Sequence, residues 1–262
     1  MSSQTNTLTE GPLAKQIFLV SLPLALSNLL QVLFNMSDVA VVGRFAGSTA
    51  LGAVGSTSTL VTLFTGFLIG LSNGINVLVA RFYGARHPKD VEKTVHSAAI
   101  ISAVAGVALL LIGLLGSPAM LRLLNTKPEL LDKATLYMQI YFCGMPALAL
   151  YNFGNAVYSA IGNTKKPLYY LLFSGIVNVV LNLVFVIVCD LDVAGVALAS
   201  IISQYLSAIF LTAALFRNRE TYGLSPKLLR LHRKNCREIL TLGIPAGLQN
   251  AIFYLSLIHI SE

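Results

Sequence analysis

Long apolar runs, separated by short polar or basic segments, divide most of the 262-residue chain. Each run holds about 20 or more residues, the length that a helix needs to cross a bilayer. The runs are too long and too uniformly apolar for the strands of a membrane barrel, so they predict helices. Six complete spans and the start of a seventh are expected, at residues 17–42, 51–80, 95–115, 134–160, 168–189, 194–216 and 239–258. The pattern predicts an all-α polytopic membrane protein.

The first and the last span begin with similar segments. Residues 17–28 (IFLVSLPLALSN) and residues 239–250 (ILTLGIPAGLQN) share Pro and Asn at matching places. Six spans lie between the copies, and six is even, so the second copy enters the membrane in the same direction. The chain is therefore expected to hold a six-helix lobe (1–216), a cytoplasmic linker (217–238) and the first helix of a truncated, parallel-repeat second lobe (239–262). Chance similarity between two apolar helices is the alternative.

The charged residues are few and unevenly placed. They make up 11% of the chain, against about 25% in soluble domains, and the mean hydropathy is +0.75. Of the 18 Lys and Arg residues, 14 fall in segments on the same side as the N-terminus. This bias predicts a cytoplasmic N-terminus and a multi-pass protein of the plasma (inner) membrane. Topology also accounts for the net charge of +7, so no nucleic-acid partner is expected.

One carboxylate, Asp38, lies within a strongly apolar span. A carboxylate at the centre of a bilayer costs about 2.5–3.5 kcal/mol on insertion scales, so it needs a partner, a water-filled cavity or a proton. Asn28, Gln31, Asn35 and Asp38 are spaced by three, four and three residues and share one helix face. This face favours an ion or proton site that lines a cavity. The alternative is that Asp38 lies near the outer interface and is solvated there.

The fifth span carries a second polar face. Ser174, Asn178 and Asn182 are spaced by four residues, and their amides are suited to hydrogen bonding with a carboxyl group of the first span. Hydrogen bonds that simply hold two helices together are an equally good explanation.

Polar and aromatic residues also share one side of the fourth span. They are Tyr137, Tyr141, Asn152 and Asn155. The tyrosines are expected either to line a cavity for aromatic or cationic cargo or to form an interfacial belt. Pro23 and Pro146 fall within spans and predict helix kinks.

Enzyme motifs are missing from the sequence. It has no Gly-rich phosphate loop, no HExxH motif and no Ser/His/Asp arrangement, and its three cysteines have no metal-type spacing. The chain is therefore not expected to be an enzyme, to bind a metal or to hydrolyse ATP by itself.

Five segments together resemble the multidrug and toxic compound extrusion (MATE) family of efflux transporters. They are Asn35–Asp38 followed by Gly43, then 80–85 (ARFYGA), 160–167 (AIGNTKKP), 193–199 (VAGVALA) and 243–247 (GIPAG). The resemblance implies a twelve-helix, two-lobe protein that functions as a monomer among membrane lipids. It also implies export of organic cations or other toxic compounds in exchange for H⁺ or Na⁺, with no other cofactor.

The resemblance further implies three ion-coupling residues. The family's first-helix Asp corresponds to Asp38 and its fifth-helix Asn to Asn178, whereas Asn182 stands where many members have a second Asp. The expected mechanism is that an ion from outside neutralises Asp38 while cationic cargo leaves. A lipid-linked glycan flippase and a non-transporting membrane fragment are the alternatives, and the lack of Lys or Arg within the spans argues against the flippase.

Overall fold

The computed structural model describes residues 13–218 and 220–261, and its regular structure is helical throughout these residues. The α-helices are α1 (Leu13–Val41), α2 (Gly47–Gly84), α3 (Pro88–Leu123), α4 (Pro128–Phe142), α5 (Met145–Ala160), α6 (Lys165–Leu183), α7 (Asp192–Phe216) and α8 (Arg233–Ser261). Short π-helical turns follow α1 (Val42–Ala46) and α6 (Val184–Val188), and a 3₁₀ turn (Pro226–Leu228) precedes α8. The prediction of an all-α protein is confirmed.

Within the described residues, four helical runs are long and apolar enough to cross a membrane. They are Val20–Gly84, Pro88–Leu123, Lys165–Val188 and Asp192–Phe216. The first run is 65 residues long because it combines most of α1, the π-helical turn and α2, with a local break at Gly47, whose φ is +88°. It contains most of the first predicted span and all of the second. Many large apolar side chains of these runs are exposed, as expected of helix faces that contact lipid.

The fourth predicted span is divided into two helices next to Pro146. It consists of α4 and α5, with a turn at Cys143–Gly144. Pro146 is the second residue of α5, where its missing N–H has no helical partner to lose. If α4 and α5 formed one straight helix, the ring of Pro146 would clash with the carbonyl of Phe142. Cys143 and Gly144 keep right-handed helical backbone angles, and each donates its N–H to the carbonyl three residues back, so the helix tightens before the proline and then continues.

The start of α8 lies within the segment predicted to link the two lobes. Helix α8 begins at Arg233, six residues before the predicted span at 239, so that part of the predicted linker is helical. The two segments of the predicted repeat lie in α1 and α8, with Pro23 and Pro245 inside their respective helices.

Helix α8 packs closely against α2 through glycines. A Cβ atom added at Gly70 would overlap the backbone of Gly247, and one added at Gly74 would lie 2.6 Å from the backbone nitrogen of Gly243. Contacts this close require residues without side chains on both helices. The α2 and α8 backbones therefore touch along this seam, which we call the glycine seam.

Candidate ion-coupling site

Asp38 lies where α1 packs against α6, and side chains from two other helices reach its carboxylate. The Asn182 amide of α6 donates a hydrogen bond to one carboxylate oxygen, Oδ1. The Ser200 hydroxyl of α7 donates to the other, Oδ2, over 2.9 Å. Asp38 is partly buried and Asn182 is completely buried. The carboxylate is thus held between three helices by two donors.

A fourth polar side chain completes this cluster. Asn178, one turn before Asn182, accepts a 3.3 Å hydrogen bond from the Asn182 amide through its Oδ1 atom. Its own Nδ2 atom donates to the Ser200 hydroxyl over 3.4 Å. We call Asp38, Asn178, Asn182 and Ser200 the carboxylate cluster. Each member touches two others or the carboxylate directly, so a change of charge at Asp38 acts on all four.

Ser200 is the member that the sequence does not reveal. It is one of several small hydroxyl residues on α7, and Ser203 and Ser207 donate only to carbonyls of their own helix. Ser200 differs from them because it faces Asp38 and Asn178, which are 162 and 22 residues away in the sequence. Helical spacing alone does not contain that information.

The carboxylate cluster also holds an unused acceptor. The Oδ1 atom of Asn182 is buried and has no hydrogen-bond partner among the described residues. Asp38 accepts two hydrogen bonds and donates none, which is the pattern of an ionised carboxylate. The orphan amide oxygen is therefore available to a proton or a cation that arrives at Asp38.

The backbone changes its helical form just beyond the cluster. Val42–Ala46 is π-helical four residues after Asp38, and Val184–Val188 is π-helical two residues after Asn182. The two π-helical turns contact each other. Such turns are rare and often occur at functional sites, because they widen the helix and weaken its regular hydrogen bonding.

The other polar residues predicted on α1 have different surroundings. The side chain of Asn28 lies outside the described part of the structure. Gln31 is half-buried and Asn35 is exposed, and within the described residues neither one hydrogen-bonds to the carboxylate cluster. Among the described polar side chains of this face, Asp38 is therefore the one that hydrogen-bonds to α6 and α7.

The two tyrosines predicted on the fourth span lie near Asp38. Tyr137 and Tyr141 of α4 stack with their ring centroids 6.0 Å apart and their planes at 21°. Tyr137 belongs to the same buried hydrophobic cluster as Val41 and Val42, just after Asp38, and Tyr141 packs against that cluster. They extend the polar surroundings of the carboxylate cluster towards α4.

The two predicted asparagines lie on α5, beyond the break in the fourth span. Asn152 is buried, and its Nδ2 atom has no partner among the described residues. Asn155 accepts a 3.4 Å hydrogen bond from Ser159 on its own helix. Neither residue hydrogen-bonds to the carboxylate cluster in the described part of the chain.

Comparison with known proteins identifies the family. The MatE family model matches residues 23–184, which include Asp38, Asn178 and Asn182. The chain belongs to the MatE family. This membership confirms the resemblance found in the sequence, and it agrees with the apolar helical runs of a multi-pass membrane protein.

Two MatE relatives illustrate the similarity. The "Probable multidrug resistance protein YpnP" of Bacillus subtilis is 31% identical over 241 residues, which cover 92% of this chain and 54% of that protein. The "Multidrug export protein MepA" of Staphylococcus aureus is 26% identical over 250 residues, covering 93% and 54%. The chain therefore spans about half the length of these relatives.

Solved structures share the MatE fold of this chain. A MATE in the bent conformation has a TM-score of 0.90 at 24% identity and covers 98% of this chain and 58% of its own. A MOP superfamily transporter from Pyrococcus furiosus also has a TM-score of 0.90, at 23% identity, and covers 98% and 57%. At these identities the likeness concerns the fold alone.

Proposed function

We propose that the protein is a secondary active antiporter, not an enzyme, that exports organic cations or other toxic compounds in exchange for H⁺ or Na⁺. The observation that carries the proposal is the carboxylate cluster, a partly buried acid between three helices of a MatE-family membrane protein. Asp38, Asn178 and Asn182 are the ion-coupling residues, and Ser200 joins them.

The cluster suits a site that exchanges one positive charge for another. One carboxylate attracts either a coupling ion or a cationic cargo, and neutralisation by one of them weakens binding of the other. Such mutual antagonism between two ligands is a positive, unfavourable coupling free energy, which antiport requires. Because only Asp38 is ionisable in the carboxylate cluster, a single charge is exchanged there.

The hydrogen bonds suggest how a coupling ion is received. A proton on Asp38 turns one carboxylate oxygen into a donor, and the orphan Oδ1 atom of Asn182 is an acceptor within the same cluster. A Na⁺ ion would instead use the carboxylate, amide and hydroxyl oxygens, which are the hard ligands that such cations prefer. Either ion neutralises the charge of Asp38 and so weakens the hydrogen bond that the Asn182 amide donates to the carboxylate. A rearrangement of α1 against α6 is the expected consequence.

The surroundings of the protein follow from the same proposal. Cargo is a small, cationic molecule, and the cavity walls include Tyr137 and Tyr141, with Asn28, Gln31, Asn35, Asn152 and Asn155 as further candidates.

The excess of Lys and Arg on one side supports a cytoplasmic N-terminus in the plasma (inner) membrane. Residues 1–216 form one lobe, 217–238 the linker and 239–262 the opening of a second lobe. The full-length transporter acts as a monomer.

The test is gradient-driven export of a fluorescent organic cation from membrane vesicles that contain the full-length transporter. Asp38→Asn should abolish export under both imposed H⁺ and imposed Na⁺ gradients, because the exchangeable charge is lost. Asp190→Asn is the matched control, since Asp190 is an exposed carboxylate between the second π-helical turn and α7, and its left-handed backbone also suits Asn. Unchanged export by Asp38→Asn would disprove the proposal. No export by the unaltered protein would favour the non-transporting alternative.

A further inference from the structure

A cavity of about 300 Å³ lies far from the carboxylate cluster, between the start of α3 and the linker that joins α7 to α8. Its walls come from two stretches of chain more than 100 residues apart. The charged groups in the lining are Glu92, Lys93, Lys227 and Arg230. Three cations thus face one carboxylate, and the cavity carries a net positive charge.

The three cations have no ion-pair partner in the part of the chain that the structure describes. The ion pairs found there are His87–Asp90 and Lys133–Asp192, and neither lines the cavity. Glu92 therefore lies near Lys93, Lys227 and Arg230 without pairing with any of them within 4 Å. Like charges that converge on one cavity repel each other, and a bound anion would remove this repulsion.

The linker wall of the cavity is fixed to α3 by specific hydrogen bonds. His96 donates from Nδ1 to the Glu92 carbonyl over 2.7 Å, and its Nε2 atom accepts the backbone N–H of Ser225 over 3.0 Å. The Ser97 hydroxyl accepts the N–H of His232 over 3.0 Å. The linker is thus held on both sides of Lys227 and Arg230. A site whose walls are already in place loses little entropy on binding a ligand.

Exposed leucines alternate with the basic residues of the linker. Leu228, Leu229 and Leu231 are 45%, 38% and 60% exposed, and they flank Arg230. Basic residues mixed with exposed apolar ones are typical of segments that lie at a membrane surface. The predicted span of α3 starts at residue 95, so the cavity lies where this helix enters the membrane.

We propose that this cavity binds the phosphate headgroup of an anionic membrane lipid. Lys93, Lys227 and Arg230 surround the phosphate, while the neighbouring leucines contact the acyl chains. A free phosphate ion offers the same anionic group but has no acyl chains to contact the leucines. Lipid bound here would fasten the linker to the membrane surface, and this role does not depend on ion coupling at Asp38.

The experiment counts lipids bound to the purified chain by native mass spectrometry, during titration with phosphatidylglycerol or phosphatidylcholine of the same acyl chains. The unaltered protein should prefer phosphatidylglycerol. The triple variant K93Q/K227Q/R230Q should bind it about a hundredfold more weakly, since each basic residue near an anionic lipid contributes about fivefold. Phosphatidylcholine binding should not change.

The matched control is the triple variant R233Q/K234Q/R237Q, which removes the same charge from exposed positions of α8 that do not line the cavity. It should keep the preference for phosphatidylglycerol. An equal loss in both triple variants would overturn the proposal, because the attraction would then be diffuse. If the first triple variant fails to fold, the unaltered protein decides alone. Equal affinity for the two lipids, or full displacement of phosphatidylglycerol by millimolar inorganic phosphate, would also overturn the proposal.

Discussion

The glycine seam between α2 and α8 allows a quantitative prediction for Gly70→Ala. The added methyl group would overlap the Cα and N atoms of Gly247, and backbone atoms cannot rotate away as a flexible side chain does. The two helices must therefore move apart along the seam. Gly55, on the exposed side of the same helix, has no atom within 4 Å of an added Cβ, so Gly55→Ala changes helix propensity without a clash.

The difference between the two variants isolates the cost of the clash. Replacing Gly by Ala in a helix interior gains about 1 kcal/mol at both sites. Overpacking at Gly70 costs about 1–3 kcal/mol, because well-packed groups must shift. The free energies of unfolding should therefore differ by about 1–3 kcal/mol. At roughly 3 °C per kcal/mol for a chain of this size, Gly70→Ala should unfold about 3–9 °C below Gly55→Ala.

The assay is thermal unfolding of both purified variants in the same detergent, followed by circular dichroism at a helical wavelength. Comparing Gly74→Ala with Gly55→Ala repeats the test one turn further along α2, where the added Cβ would lie 2.6–2.7 Å from the backbone of Gly243. Equal melting temperatures for Gly55→Ala and Gly70→Ala would refute the reasoning, because they would mean that α2 and α8 do not touch at this point.

Three further predictions concern single side chains. Ser200→Ala removes one hydrogen-bond donor from the Asp38 carboxylate, and such a bond to a charged group contributes about 1.5–3 kcal/mol. The ion concentration for half-maximal export should therefore shift at least tenfold, and an unchanged concentration would contradict the role of Ser200. Lys133→Ala breaks the partly exposed ion pair with Asp192, and a pair of this kind contributes about 0–1 kcal/mol to stability. The melting temperature should therefore fall by less than about 3 °C, and a larger fall would mean that the ion pair is effectively buried. His96→Leu removes the acceptor for the Ser225 N–H, so hydrogen exchange of the Ser225 amide should become faster. An unchanged exchange rate would show that His96 does not hold the linker.

The sequence by itself determined the class of the protein and singled out three of the four members of the carboxylate cluster. The length and uniformity of the apolar runs required membrane helices, because only helices of that length satisfy their own backbone hydrogen bonds in lipid. The cost of a carboxylate in such a run singled out Asp38. Helical spacing placed Asn178 and Asn182 on a common face of α6, because residues four apart lie one above the other.

Only the tertiary structure decided which of these faces meet. Asn182 reaches Asp38 across 144 residues of sequence and Ser200 across 162, and the period of a helix says nothing about which helix lies beside it. The form of the turn at Cys143–Gly144 was also undetermined, since a proline inside an apolar run predicts a kink but not its geometry. Packing between neighbouring helices selects among these possibilities, and it is the property that a single sequence encodes least directly.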